Sequence, residues 1–237
     1  MKPYLTIFAL SLICATGAAQ DLTKEQLAAE FPGIETDDIL EAAISGFYEV
    51  AIGSSVAYVS KDGRYILQGD LFDLTENTNL TELRRSNARV DMLATVDPET
   101  MIVYSPPAED VKHTITIFTD IDCGYCRQFH REIETVNAMG VAVNYLFYPR
   151  TGPETDSWFK ADKVWCAEDR NLALTDAKLG GQVPEDECQS TPVESHWDLG
   201  NLVGVRGTPT IYTASGEHIG GYLTPDQLLE LLEQDEQ

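Results

Sequence analysis

Two cysteines, Cys123 and Cys126, stand two residues apart in the stretch FTDIDCGYCRQFH, directly after an apolar run. No other feature of the 237 residues limits the fold as tightly. HTITIFTD, from His113, reads as a buried strand, and CGYCRQFHREIETVNAMG reads as a helix with Gly140 at its C-cap. A strand passing straight into a helix places Cys123 at the helix start. There the unpaired backbone N–H groups and the helix dipole favour a thiolate.

Three chemistries compete for this spacing. A structural zinc site usually needs four Cys or His ligands, often as two close pairs, and only one close pair exists here. Cys166 and Cys188 have no cysteine or histidine near them in ligand spacing, and His130 alone does not complete a set with Cys123 and Cys126. A purely structural disulfide across two residues would close too small a loop to restrict the unfolded chain much. A redox pair suits the spacing better. Cys126, one helical turn on, reaches back to attack a mixed disulfide held on Cys123. Gly124 and Tyr125 lie between the sulfurs and tune them. Arg127 adds positive charge, and Asp120 and Asp122 oppose it. Neither a metal nor another cofactor is expected.

The compartment fits redox chemistry. MKPYLTIFALSLICATGAAQ has the layout of a signal peptide: Lys2, an apolar run, then small residues with cleavage expected after Ala19. The apolar run is too short to span a bilayer. Residues 1–19 are therefore expected to be removed, taking Cys14 with them. Four cysteines remain, and an even number in an oxidising compartment suggests two pairs. The charge is strongly acidic, 16 Lys and Arg against 39 Asp and Glu, giving −23. Binding to nucleic acid or to an anionic membrane is disfavoured.

Two domains are expected. Residues 20–75 form a small α+β unit. Thr23 and Gln26 stand in capping-box spacing, Leu27 and Phe31 share a helical face, Pro32-Gly33 ends the helix, and Asp62-Gly63 marks a hairpin. Such a unit buries little alone and needs a partner surface, such as a second copy of itself. Residues 76–107 read as a helical linker, with Leu80, Leu83, Val90, Leu93 and Ala94 as a thin apolar stripe. Residues 108–237 read as α/β: strand, helix, strand, a helical insertion over about 150–204, a hairpin turning at Ser215-Gly216, and a helix with Thr224, Pro225 and Gln227 at its start. Trp158, Trp165 and Trp197 read as packing in the insertion. His113, His130, His196 and His218 read as surface residues.

The order around C-x-x-C resembles thioredoxin. The combination of FTDIDCGYC, VWCAEDRN in the insertion, Cys188, GVRGTPT, GRYILQGDLFDL and the small N-terminal unit resembles the bacterial periplasmic disulfide isomerases of the DsbC/DsbG family. The likeness covers essentially the whole chain beyond the leader. It implies a thioredoxin-like catalytic domain with a helical insertion, joined by a helical linker to an N-terminal dimerisation domain. It implies that Cys123 attacks and Cys126 resolves, and that Thr208 and Pro209 form a cis-proline loop facing the client. Cys166 and Cys188 would be a structural disulfide. The implied partners are misfolded disulfide-containing secreted proteins, a second copy of the chain, and a DsbD-type membrane reductase. Two other activities fit the same architecture. One is a DsbG-like reductase protecting single oxidised cysteines, which typically has Pro where Gly124 stands. The other is a holdase chaperone with secondary redox activity. The chain departs from its relatives at two places: Ile117 stands where thioredoxin has a buried acid, and Arg127 where a histidine is found.

Overall fold

The structure, a computed structural model, describes residues 21–235. The expected leader, with Cys14, lies outside the described residues. The described chain divides into two compact units, one of residues 21–49 with Tyr58–Leu67 and one of Val50–Ala57 with residues 68–235.

In the first, α1 (Lys24–Glu30) opens with the capping box read from the sequence. The Gln26 N–H donates to the Thr23 hydroxyl at 3.3 Å, and the Thr23 N–H donates to Gln26 Oε1 at 2.8 Å. Two otherwise orphaned donors are thus satisfied, and Leu27 is free to carry the helix's buried face. β1 (Ile39–Glu41), β2 (Phe47–Ile52), β3 (Ser55–Ser60) and β4 (Ile66–Leu67) pair in chain order, the tip of the β2–β3 hairpin, Val50–Ala57, being counted with the second unit. β3 and β4 are antiparallel, and their pairing runs Tyr58↔Leu67 and Val59↔Ile66. The Asp62-Gly63 hairpin is therefore wider than a two-residue turn. Asp62 holds the loop by accepting from the Arg64 N–H at 3.1 Å, and Ser60 Oγ accepts from the Tyr65 N–H at 3.0 Å.

In the second unit, β5 (Phe72–Asp73) and β6 (Thr78–Asn79) form a short hairpin, and Asn79 caps α2 (Leu80–Leu93). The buried face of α2 is only in part the expected stripe. Thr81 and Arg89 are buried, while Leu83 and Val90 are exposed. Arg89 is held by Glu82, at 2.6 Å, and by the Gly216 carbonyl, at 3.2 Å, and its guanidinium lies over the Tyr212 ring. A charged side chain can occupy this face because its Nη1 is paired with a carboxylate and a carbonyl, although its Nε finds no partner among the described residues. Gly216 is fixed by the same contact: its φ is +81°, and a Cβ there would lie 2.2 Å from the Ser86 carbonyl oxygen.

β7 (Ile102–Tyr104) falls within the segment expected as linker, yet it pairs antiparallel with a catalytic-domain strand, β9 (Val141–Phe147). Three residues give too short a period to read from sequence. Before β9 come β8 (His113–Thr119), α3 (Gly124–Arg131) and α4 (Ile133–Ala138). The single helix expected after Cys123 is thus broken at Glu132, whose φ and ψ of −101° and 7° leave the helical region. After β9 come α5 (Asp156–Cys166), α6 (Arg170–Leu179), α7 (Val193–Leu202), β10 (Thr210–Tyr212), β11 (His218–Gly220) and α8 (Pro225–Asp235). The sheet runs β11-β10-β8-β9-β7, with β8 and β9 parallel. β8 is central, so Ile115, Ile117 and Phe118 are fully buried. Each such side chain contributes roughly 1.5–3 kcal/mol. Ile117 belongs to this apolar core, where a carboxylate would have no place. The tryptophans do pack: Trp165 is buried beneath Arg170, and Trp197 stacks on Tyr148.

Candidate functional site

The C-terminal end of β8 aims the chain at the start of α3, and Cys123 is the N-cap of that helix. Its sulfur accepts from the Cys126 N–H at 3.4 Å, taking one of the helix's orphaned donors. On the other side the Cys123 thiol donates to the Thr208 carbonyl at 3.1 Å. Thr208–Pro209 is a cis peptide bond, and Pro209 is buried. The fold therefore brings together four residues singled out from the sequence: Cys123, Cys126, Thr208 and Pro209. Gly124 is the first helical residue and is exposed. Tyr125 is 64% exposed, and its ring stacks on Tyr222 at 6.2 Å. Cys166 and Cys188 lie apart from this cluster and are joined by a disulfide with Cα atoms 5.4 Å apart.

The thiol expected to attack is covered. Cys123 is only 2% exposed, because the Thr208 carbonyl and the front of α3 close over it. It nonetheless sits shallower than Cys126, on which burial weighs more heavily. The two sulfurs are split electrostatically. A hydrogen bond from the Cys126 thiol is the largest influence on Cys123. Burial opposes it, while Thr208, the Cys126 N–H and the charge of Arg150 reinforce it, so the Cys123 thiol is lowered to about 5. Burial, then the hydrogen bond to Cys123, pushes the Cys126 thiol up. The Thr208 hydroxyl is buried and finds no protein partner in the reduced site, so it is available as a donor when Cys123 ionises.

The charges beside the sulfurs differ from the reading of sequence neighbours. Asp122 does not act alone against Cys123, since Lys160 donates to both of its oxygens at 2.9 Å and Arg127 to one at 3.2 Å. Arg127 is committed there and to the Ile121 carbonyl. Asp120 is buried and opposed by desolvation. Hydrogen bonds from Ser157, from the Arg150 N–H and guanidinium and from the Asp122 N–H outweigh this, and its carboxyl is held below the usual range. The cation that acts on Cys123 is Arg150, 2.9 Å from Asp120. Sequence reading missed it, although a signal was present: Arg150 follows the end of β9, which runs parallel beside β8, and sites gather at the carboxyl ends of parallel strands.

Two histidines expected at the surface are buried. His130 sits between the Tyr145 hydroxyl, at 3.2 Å, and the Thr175 hydroxyl, at 3.0 Å. Burial, with the charge of Lys178, lowers its pKa to about 3. His196 takes the Phe147 N–H at 3.3 Å, and burial lowers it to about 4. Among the described residues no group of three or more His, Cys, Asp and Glu side chains could hold a metal.

Comparisons with known proteins agree with this geometry. Residues 107–235 match the model of a thioredoxin-like domain, and residues 14–82 match that of the disulfide bond isomerase protein N-terminal domain. The thiol:disulfide interchange protein DsbC of Haemophilus influenzae is 36% identical over all of both chains. That of Dickeya dadantii is 34% identical, covering 98% of this chain and 96% of the relative. A disulfide interchange protein from Neisseria gonorrhoeae has a solved structure that matches 60% of this chain and 99% of its own, with a TM-score of 0.53 and 29% identity. A dithiol at a helix start in a thioredoxin-like domain, with relatedness along nearly the whole length, places this chain in the DsbC family of thiol:disulfide interchange proteins.

Proposed function

We propose that the chain isomerises incorrect disulfides in secreted proteins of the periplasm, with Cys123 as the attacking sulfur and Cys126 as the resolving one. One observation carries this reading. A thiol lowered to about 5 caps α3 beside a second thiol pushed the other way. At neutral pH the first is a thiolate ready to attack, and the second keeps its proton until needed. The Cys123 thiolate attacks a client disulfide, forms a mixed disulfide and expels one client sulfur as a thiolate. That sulfur then attacks elsewhere in the client and regenerates Cys123. If the client stalls, Cys126 attacks Cys123 and releases it reduced. Cys123 is covered, so a client reaches it by replacing its contact with Thr208, and the cis-Pro loop presents backbone for the incoming segment to pair with.

The relatives' names and the matched N-terminal domain support a homodimer. So does β4, whose Ile66 and Leu67, with Tyr65 before them, are exposed on the edge of their sheet. Reduction by a DsbD-type membrane donor and export through a cleaved leader of residues 1–19 complete the proposal. No described helix is long and apolar enough to cross a membrane. We assign residues 20–75 to dimerisation, 76–107 to the linker, and 108–237 to catalysis. Cys166–Cys188 serves as the structural bridge, and Gly124 and Tyr125 tune the redox pair.

Refolding of scrambled ribonuclease tests the proposal. The full-length protein restores ribonuclease activity, and Cys123→Ser abolishes this. Retained activity in that variant rejects the role of Cys123. A monomer in sedimentation rejects the dimer. Persistence of client protection only as suppressed aggregation, unchanged by Cys123→Ala with Cys126→Ala, would favour the holdase reading.

A further inference from the structure

α6 buries a lysine beneath the redox pair. Lys178 is 0% exposed. Its Nζ donates to Thr119 Oγ1 at 2.7 Å and to the Asp120 carbonyl at 3.4 Å, and it lies 5.6 Å from the centre of the Tyr145 ring. No described carboxylate lies within ion-pairing distance of it, since Asp120 is turned to Arg150 and Ser157. A lone buried ammonium is expensive, whereas a buried amine beside an acidic group is not. The acidic group at hand is Cys126. The same Thr119 hydroxyl that contacts Lys178 also favours the Cys126 thiolate, as does the Asp120 N–H. Thr119 is thus hydrogen-bonded to the buried nitrogen, and its hydroxyl bears on the buried sulfur. Sequence reading had no reason to single out Lys178, because a lysine in the last turn of a helix is ordinary dipole compensation.

We propose that Lys178 is a positioning residue for the resolving step: through the Thr119 hydroxyl it takes the proton of Cys126 when Cys126 attacks, and returns it when the site is reduced again. This rests on the dithiol reading above. As the Cys126 thiol gives its proton to Thr119 Oγ1, the Thr119 hydroxyl turns its own proton to the Lys178 amine, which reverses the contact in which Nζ is the donor. The Cys126 electron pair then forms the bond to Cys123 Sγ. The Cys123–client bond breaks, and its pair leaves on the client sulfur, which takes a proton from water. The two active-site sulfurs are oxidised by two electrons and the client disulfide is reduced by two. When a dithiol donor later reduces the site, Lys178 supplies the proton that Cys126 regains. A proton held internally spares a sealed sulfur from waiting on solvent.

The groups facing Lys178 set its balance. Burial lowers its pKa and Arg127 adds to this, while Cys126, Asp120 and Cys123 act in the opposite sense. Tyr145 is itself buried and stays neutral, and His130 is kept neutral by burial and, when Lys178 carries its proton, by that charge. Cys126 is the strongest of the opposing influences, as expected of a nitrogen and sulfur that share one proton.

The reduced full chain, mixed with one equivalent of dithionitrobenzoate across a range of pH, tests this. Attack by Cys123 releases the first thionitrobenzoate, and attack by Cys126 releases the second. In Lys178→Met the second release is expected to slow by roughly tenfold or more at neutral pH, and its pH midpoint to rise by at least about one unit. The first release should move less. Thr119→Val, which keeps the side-chain shape and removes only the hydroxyl, should slow the second release in the same direction, and serves if Lys178→Met does not fold. A second release unchanged in rate and midpoint in a folded variant overturns the role of Lys178. Absence of a second release in the wild type overturns the assignment of Cys126 instead.

Discussion

The two cysteine pairs sit at opposite ends of their helices. Cys123 is the N-cap of α3, where the Cys126 N–H turns toward its sulfur. Cys166 is the last residue of α5, where the backbone offers carbonyls, and its partner Cys188 comes from an exposed stretch. The positive end of a helix dipole stabilises a thiolate and the negative end opposes one. Arg150 adds to the first field. A sulfur at the front of a helix is thus suited to attack, and one at the rear to being bonded and left alone. Spacing adds to the contrast. Two residues between cysteines permit exchange along one turn, whereas a separation of 22 closes a loop large enough for the bond to restrict the unfolded chain.

The sharpest way to break this comparison is to remove the rear pair. Cys166→Ala with Cys188→Ala should cost about 3 kcal/mol of stability, from the loop-closure entropy returned to the unfolded chain. Urea denaturation reads this. Ribonuclease refolding, measured well below the unfolding midpoint, should be retained. If the double variant keeps its stability but loses isomerase activity, the division of labour between the pairs is wrong.

The next effect is on the front pair. Alkylation of Cys123 should follow a titration with midpoint near 5, where an ordinary thiol would titrate near 9. The midpoint is the diagnostic quantity. A thiolate of low pKa is also a weaker nucleophile, with a Brønsted slope of about 0.4–0.5, so its rate at neutral pH need not exceed that of a normal thiol. Arg150→Met removes a cation and should raise the midpoint, by less than about one unit because hydrogen bonds outweigh this charge at Cys123. Arg127→Met should move it less, because Arg127 is already bound to Asp122 and the Ile121 carbonyl. Equal shifts would reject the assignment of charge made from the structure.

These two cations show what could be read in the sequence and what could not. The strand-to-helix passage at Cys123 carries local signals: an apolar run, a glycine behind the helix, a cap. The hairpin at Ser215-Gly216 and the capping boxes at Thr23 and Thr224 are local too, and all were legible. Arg127 was legible as a neighbour in sequence, but its commitment to Asp122 depends on side-chain direction. Arg150 and Lys178 reach the site from β9 and α6, tens of residues away, and only tertiary packing sets their distances. The same holds for His130. Its polar neighbours and alternating sequence read as surface, yet Tyr145 and Thr175 satisfy both ring nitrogens in the core. Only part of the expected stripe of α2 is turned inward, Leu93 packing on the core while Arg89 takes a buried place, since one partner of Arg89 is a carbonyl on the distant β10–β11 turn.

His130 also supplies the finest test of the comparison, because it lies in the last turn of the helix that Cys123 begins. At a helix's rear the dipole favours a protonated imidazole. Here burial and the charge of Lys178 win, and the pKa falls from 6.5 to about 3. The sign of the linkage follows. Between those values the unfolded chain binds a proton that the folded chain refuses, so stability is complete above 6.5 and is lost as pH falls toward 3. His196, lowered to about 4, acts in the same direction. The reduced protein has a further loss from Cys123, whose thiolate contributes fully above the ordinary thiol range and fades as pH falls to about 5. Oxidising the Cys123–Cys126 pair removes that contribution, and above the ordinary carboxylate range, where the lowered Asp120 does not yet titrate, it isolates the histidines. In the oxidised protein, urea stability against pH should then fall by at most about 1.4 kcal/mol per pH unit for each histidine. His130→Gln should flatten that slope by one proton. An unchanged slope would mean that His130 takes up its proton in the folded core, and that the dipole at the rear of α3 outweighs burial after all.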